Sequence, residues 1–290
     1  MLLTSKFSLA AVTAALLSAF VIRAQEIPGN TTLRDLAPAI LPTPRLDVPW
    51  WAERHNAIVE QVRAHRDFNL LLIGDSITQN YEKASPPDED FLPTWKQFYE
   101  PRRALNLGFS GDTTANLLWR LTHGEIDGLR PQAAVVLIGT NNTGHAHQTA
   151  EQAEAGIGNV VGTLTQRLPQ TRILLLGILP SDVSPEKTAA DKAINEYLAK
   201  RYSKDADKQA GKDNDARVTY LDISSIFKNA DGTLNTSLFY DPRLPTPGKP
   251  LHPDTKGQRM MAEAIEPILA KLMYDKPRTG ATDTGVHTQQ

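Results

Sequence analysis

Five short runs of apolar residues, the first preceded and the other four followed by a segment of helical periodicity, constrain this chain more than any other feature. The runs are residues 69–73 (NLLLI), 104–108 (ALNLG), 133–138 (AAVVLI), 173–176 (ILLL) and 218–223 (VTYLDI). Helical spacing of apolar residues marks 50–66, ahead of the first run, and 114–121, 149–168, 185–201 and 255–274. A strand that is apolar at nearly every position has both faces covered, which is the mark of a parallel sheet between helical layers. The pattern predicts one α/β domain, a three-layer α/β/α sandwich with a parallel sheet of about five strands. No internal repeat is present.

The ends of the chain read differently. Lys6 precedes an apolar stretch over 7–22, and Arg23-Ala24-Gln25 follows with a small residue at a plausible cleavage point. This is the pattern of a secretory signal over 1–24. The run is short for a bilayer span, which takes about 20 apolar residues. A secreted or periplasmic protein without stable membrane insertion is the expectation. Cleavage would remove two cations and no acid, taking the formal charge from −2 to −4. Residues 25–49 contain Pro28, Pro38, Pro42, Pro44 and Pro49. Proline breaks helices and inner strands, so this segment is expected to run over the surface without regular structure. Residues 50–274 form the domain, and 275–290, polar and aperiodic, read as a disordered tail.

Composition excludes several functions. With no cysteine, disulfides, thiolate catalysis and zinc–thiolate sites are impossible. A charge of −2 with no basic run gives no reason to expect nucleic acid. No dinucleotide or phosphate loop is present, and the glycines of AGIGN (155–159) fall inside a helical pattern. No cofactor is expected. His145 and His147 form an H-x-H pair, but no ligand cluster accompanies them, so a rim loop beside the site is preferred over a metal site.

In an open parallel sheet, ligands bind at the carboxyl ends of the strands. The first strand ends in Gly74-Asp75-Ser76, the second leads into Gly108-Phe109-Ser110-Gly111-Asp112, and the third ends in Gly139-Thr140-Asn141-Asn142. Leu251-His252-Pro253 precedes the last helix. Acyl transfer needs a nucleophile, a base and oxyanion donors, and these ends supply a serine, a histidine, a glycine turn and an asparagine. Each also has an ordinary structural reading: Ser76 as a helix cap, the asparagines as turn residues, His252 as a loop residue. The G-x-S-x-G elbow of α/β-hydrolases is missing around Ser76.

The blocks GDSIT (74–78), NLGFSGDTT (106–114), LIGTNN (137–142) and LHPDTKGQ (251–258) resemble the four blocks of the SGNH (GDSL-type) hydrolase family. The flanking text WAERHN (51–56), LLWRLTHGEID (117–127) and ILLLGILP (173–180) is similar to the branch of platelet-activating-factor acetylhydrolase catalytic subunits and their bacterial relatives. The resemblance implies a flavodoxin-like SGNH fold and a serine esterase acting on short-chain, acetyl-type esters, which the signal-like residues 1–24 would make an exported one. It implies Ser76 as nucleophile and His252 as base. Ser76 N–H, Gly111 N–H and the Asn141 amide would be the oxyanion donors, and no metal is needed. Asp75 and Asp112 would tie loops through backbone N–H groups. The implied partner is a small-molecule or glycan ester substrate, and a homodimer is possible. A sugar O-acetyltransferase using the same residues, or a non-catalytic carbohydrate-binding relative, are the alternatives.

One departure matters. The family carries Asp three residues before the histidine, and that position here is Lys249, which cannot accept a hydrogen bond. Either Asp241, in Phe239-Tyr240-Asp241, keeps the acid role across an inserted Pro-rich loop, or the Lys249 carbonyl holds the ring in a Ser–His dyad. Asp222 and Asp254 are further acids in reach of the sequence argument. Phe109, Leu118, Trp119 and Leu244 suit either an acyl pocket or the core.

Overall fold

The computed structural model describes residues 32–202 and 215–278. The proposed signal, at 1–24, lies outside them, as does most of the proposed tail. The described residues contain a five-stranded parallel sheet of β1 (Leu70–Gly74), β2 (Ala104–Gly108), β3 (Ala133–Leu137), β4 (Arg172–Leu176) and β5 (Val218–Leu221). The spatial order is β2-β1-β3-β4-β5. Every neighbouring pair is parallel, with Leu70 opposite both Ala104 and Ala133. The order reverses direction between β1 and β3, which is where a doubly wound sheet opens a crevice at its carboxyl end.

The helices are α1 (Leu33–Ile40), α2 (Pro49–Ala64), the short α3 (Ser76–Gln79), α4 (Leu92–Phe98), α5 (Thr114–Thr122), the short α6 (Thr140–Thr143), α7 (Ala150–Arg167), α8 (Pro185–Arg201) and α9 (Thr255–Met273). Alternation along each strand divides the core in two. Leu71, Ile73, Leu105, Leu107, Ala134, Val136, Ile173 and Leu175 face one way and pack with residues of α2, α5, α7 and α8. Leu70, Leu72, Val135, Leu137, Leu174 and Leu176 face the other, against α4 and α9. The first four strands bury side chains on both faces, β5 buries Val218 alone, and each buried Leu or Val side chain contributes about 1.5–3 kcal/mol. The glycines of 155–159 lie inside α7.

Two expectations about the ends need correction. The segment 25–49 is not without regular structure, because α1 forms within it and contains Pro38. A capping box at Thr32 and Asp35 satisfies its amino end, and Leu36 and Ala39 are buried. Those gains offset the backbone hydrogen bond that proline removes. At the other end, residues 275–278 are held rather than loose. Asp275 pairs with the buried Arg102, and Arg278 donates its backbone N–H to Glu266. Among the described residues no helix is long and apolar enough to cross a membrane.

Candidate active site

Asp75 leaves β1 and caps α3, its Oδ1 accepting the Ile77 N–H at 3.0 Å. Ser76 is thereby the first residue of a helix turn at the carboxyl edge of the sheet, and is 7% exposed. Gly108, at the end of β2, lets α3 lie this close: a Cβ there would fall 2.2 Å from the Gln79 nitrogen. Asp75 is fully buried, and its Oδ2 has no hydrogen-bond partner among the described residues. Burial pushes its pKa up from 3.8 to about 6, against the pull of the Ile77 N–H and of His252.

That shift makes Asp75 a cost at neutral pH. A carboxyl whose pKa is raised by folding stabilises the protein below the unfolded value, and the benefit disappears as pH rises through the folded one. Asp75→Asn keeps the cap and removes the charge. Two units correspond to about 3 kcal/mol, and a buried amide N–H left unpaired takes back 1 kcal/mol or more. Chemical denaturation of the variant is expected to show a gain of about 1–2 kcal/mol at pH 7–8 that vanishes by pH 4. A gain equal at both pH values would contradict the assignment.

His252 stands in the loop before α9. That loop is laced to the preceding one by Tyr240 N–H to His252 O (3.1 Å) and Asp254 N–H to Leu238 O (2.8 Å). The His252 ring stacks on Tyr240, with centroids 5.4 Å apart and planes 12° from parallel. Its Nε2 lies 3.0 Å from Ser76 Oγ, and its Nδ1 lies 2.6 Å from Asp241 Oδ1. The other oxygen of Asp241 accepts the backbone N–H groups of His252 (2.6 Å) and Leu251 (2.9 Å). Burial pushes the Asp241 carboxyl up, but these hydrogen bonds and the nearby imidazole outweigh it, so the group lies below the usual carboxylate value.

The insertion explains the altered spacing. The chain leaves Asp241 through the 3-10 turn Asp241–Arg243 and returns at Gly248, whose N–H donates to the Asp241 carbonyl at 2.9 Å. The loop closes on itself, and Lys249 points to solvent, 3.8 Å from Asp182. Neither Asp222 nor Asp254 serves His252. Asp222 accepts the Ser224 N–H, and Asp254 caps α9 and pairs with Arg243.

Gly111 follows β2 with φ +77°, a conformation that costs glycine little and other residues more. Asn141, in α6, donates one amide N–H to the Asp112 carbonyl at 2.9 Å, which ties the two loops together. Asp112 departs from the expectation for it. Its carboxylate is held by side chains rather than backbone N–H groups: Trp51 Nε1 (2.8 Å), Arg120 Nε (2.8 Å) and Arg45 Nη1 (3.1 Å). Arg120, fully buried, also reaches the carbonyls of Leu107 and Gly74 and the carboxylate of Glu125, which in turn meets His55. This ionic chain braces the ends of β1 and β2. Sequence reasoning missed it, because its members come from four separate segments. Most of its members do fall in family-like motifs, Trp51 and His55 in WAERHN, Asp112 in NLGFSGDTT, and Arg120 and Glu125 in LLWRLTHGEID, but nothing in the spacing joins them.

Phe109 and Leu118 are core residues, Trp119 packs against that core, and Leu244 is exposed on the inserted loop. His145 and His147 lie on the exposed turn after α6. Burial, Arg45 and His147 together lower the pKa of His145. Among the described residues no cluster of potential metal ligands forms.

The model of the GDSL-like lipase/acylhydrolase family matches residues 72–260. The chain is 31% identical over 252 residues to platelet-activating factor acetylhydrolase IB subunit alpha1 of Bos taurus, covering 85% of this chain and 96% of that one. It is 31% identical over 252 residues to subunit alpha2 of Rattus norvegicus, covering 86% and 97%. A GDSL-like lipase structure from Bacteroides thetaiotaomicron superposes with a TM-score of 0.53 at 14% identity, over 75% of this chain and 97% of that one, a likeness of fold. With a family model matching more than half of its length and relatives alike over most of it, this chain belongs to the GDSL-like lipase/acylhydrolase family and is a carboxylic ester hydrolase.

Proposed function

We propose that the protein is an exported serine esterase that removes short acyl groups, acetyl above all, from small-molecule or glycan esters through Ser76, His252 and Asp241. The contact that carries this reading is Ser76 Oγ at 3.0 Å from His252 Nε2, in a ring whose Nδ1 meets Asp241 at 2.6 Å. His252 takes the Ser76 proton as Oγ adds to the ester carbonyl, and returns it to the leaving alcohol oxygen as the C–O bond breaks. Water, deprotonated by the same imidazole, then adds to the acyl-enzyme, and Ser76 leaves with the proton. Asp241 fixes the tautomer and supports the imidazolium. The oxyanion is received by the N–H groups of Ser76 and Gly111 and by the second amide N–H of Asn141, the first being engaged by Asp112.

Acetyl preference draws on the two named relatives, which are acetylhydrolase subunits. Export, and with it an encounter with acetylated glycans, draws on the character of residues 1–24. Hydrolysis of p-nitrophenyl acetate, butyrate and octanoate by the chain starting at Gln25 tests the reading. Expected is turnover that declines steeply from acetate to octanoate. A preference for octanoate would overturn the short-acyl assignment, and no turnover by folded protein would overturn the esterase mechanism. An amino terminus at Gln25 in the extracytoplasmic fraction would support export, and an intact Met1 in the cytoplasm would refute it.

A further inference from the structure

Residues 32–49 precede the part of the chain that the family model matches, yet they are fastened to the two loops that carry Gly111 and Asn141. Gln152 and Gln148 donate to the carbonyls of Asp35 and Pro38. Thr114, two residues after Asp112, donates its hydroxyl to the Ala39 carbonyl at 2.8 Å. Thr43 then pairs by its N–H with the Ala115 carbonyl and by its carbonyl with the Asn116 amide. Gln148 also accepts from Asn142, the residue after Asn141. At the end of this path Arg45 reaches across the Gly111 turn. Its Nη1 donates to the Ser110 carbonyl at 2.8 Å and to Asp112 Oδ1 at 3.1 Å.

The Ser110 carbonyl and the Gly111 N–H belong to one peptide unit. That unit is planar and trans, so the two bonds point in opposite directions. Whatever holds the carbonyl on one side therefore aims the N–H to the other. At a glycine with φ +77° the unit has little steric resistance to flipping, because there is no Cβ. A flip would turn the carbonyl to where the N–H had been.

We infer that Arg45 is a positioning residue for ester hydrolysis: by gripping the Ser110 carbonyl it holds the Gly111 N–H in the donor orientation. The inference rests on the reading of Gly111 as an oxyanion donor. The hydrogen bonds of Arg45 go to Ser110 and Asp112 rather than to Ser76, so its effect on the reaction runs through the peptide it grips. Losing an oxyanion donor outright costs roughly 10²–10³ in kcat. Losing only its alignment costs less, since Gln79 still accepts the Ser110 N–H and Phe109 still accepts that of Asp112.

The test compares wild type, Arg45→Met and Arg45→Lys in the chain from Gln25, by kcat and KM for p-nitrophenyl acetate and by affinity for methylboronic acid, which forms a tetrahedral adduct on a serine. Arg45→Met leaves Asp112 with Arg120 and Trp51, so the fold has support without it. Expected for Arg45→Met is a kcat lowered about 10- to 100-fold with KM within about threefold, a boronate affinity weakened by a similar factor, and partial recovery in Arg45→Lys, which offers one donor group in place of a fork. A kcat within twofold of wild type would overturn the inference. So would a lowered kcat with boronate affinity unchanged, or a parallel loss of kcat, KM and melting temperature, which describes a purely structural role. If wild type itself shows no turnover, the oxyanion reading fails first and this inference falls with it.

Discussion

Ser76→Ala is expected to lower kcat for p-nitrophenyl acetate by about 10⁵- to 10⁶-fold, the scale on which removal of a serine nucleophile acts in a site of this kind. The change deletes one oxygen at a position that is 7% exposed and begins α3. Alanine is a good helix former, and Asp75 still caps the turn through the Ile77 N–H. The lost hydrogen bond to His252 is worth about 1 kcal/mol, so the melting temperature should move by a few degrees at most. The same variant should lose covalent labelling by a fluorophosphonate and the pre-steady-state burst of p-nitrophenol. Residual turnover above one per cent, with labelling retained, would mean that another group attacks the ester. Activity lost together with the melting transition would mean only that the fold had been damaged.

The legibility of this chain follows from how far apart its interacting residues lie. A strand such as Ala133–Leu137, covered on both faces, writes an unbroken apolar run into the sequence, and β1, β3 and β4 could be read that way, while Asn106 and Thr219 interrupt the weaker runs of β2 and β5. The termini of the runs were less sharp, and residues 222–223 fall beyond β5, because the signal is apolar content rather than hydrogen bonding. Ser76, Gly111, Asn141 and His252 were legible because each follows or precedes an element that the pattern locates. Asp241 was ambiguous because its spacing to His252 is interrupted by a loop that the structure closes through Gly248. Arg45 was invisible. Its partner lies 65 positions away, and a single arginine in a Pro-rich stretch has no periodicity to announce it. The helix around Pro38 was misjudged because the favourable terms, a capping box and two buried side chains, are tertiary and local-polar effects that outweigh a residue propensity.

Asp241→Asn is expected to lower kcat by about 10³- to 10⁴-fold, and Asp241→Ala by a similar factor, while Lys249→Ala stays within about twofold of wild type. The Asp241 variants separate the two ways in which His252 can be oriented, and Lys249→Ala, which keeps its backbone carbonyl, is the control that is silent under both. Asp241 grips the imidazole at Nδ1 with one oxygen and the backbone of Leu251 and His252 with the other, so it fixes both the tautomer and the loop. Asparagine keeps the shape but brings an amide that can donate to Nδ1 and leave the proton on Nε2, where it cannot accept from Ser76. The lysine side chain lies in solvent beside Asp182, and removing it touches none of this. The pH dependence adds a second check. Folding lowers the pKa of Asp241 below 3.8, so its contribution to stability is present above that value and is lost as pH falls through the folded one. The carboxylate is therefore charged at every pH where a neutral imidazole can act as base. The kcat deficit of Asp241→Ala should then stay constant from pH 6 to pH 9, and the variant's loss of stability should shrink below pH 4. Near-normal turnover in Asp241→Ala would reject the acid and return the orienting role to a backbone carbonyl.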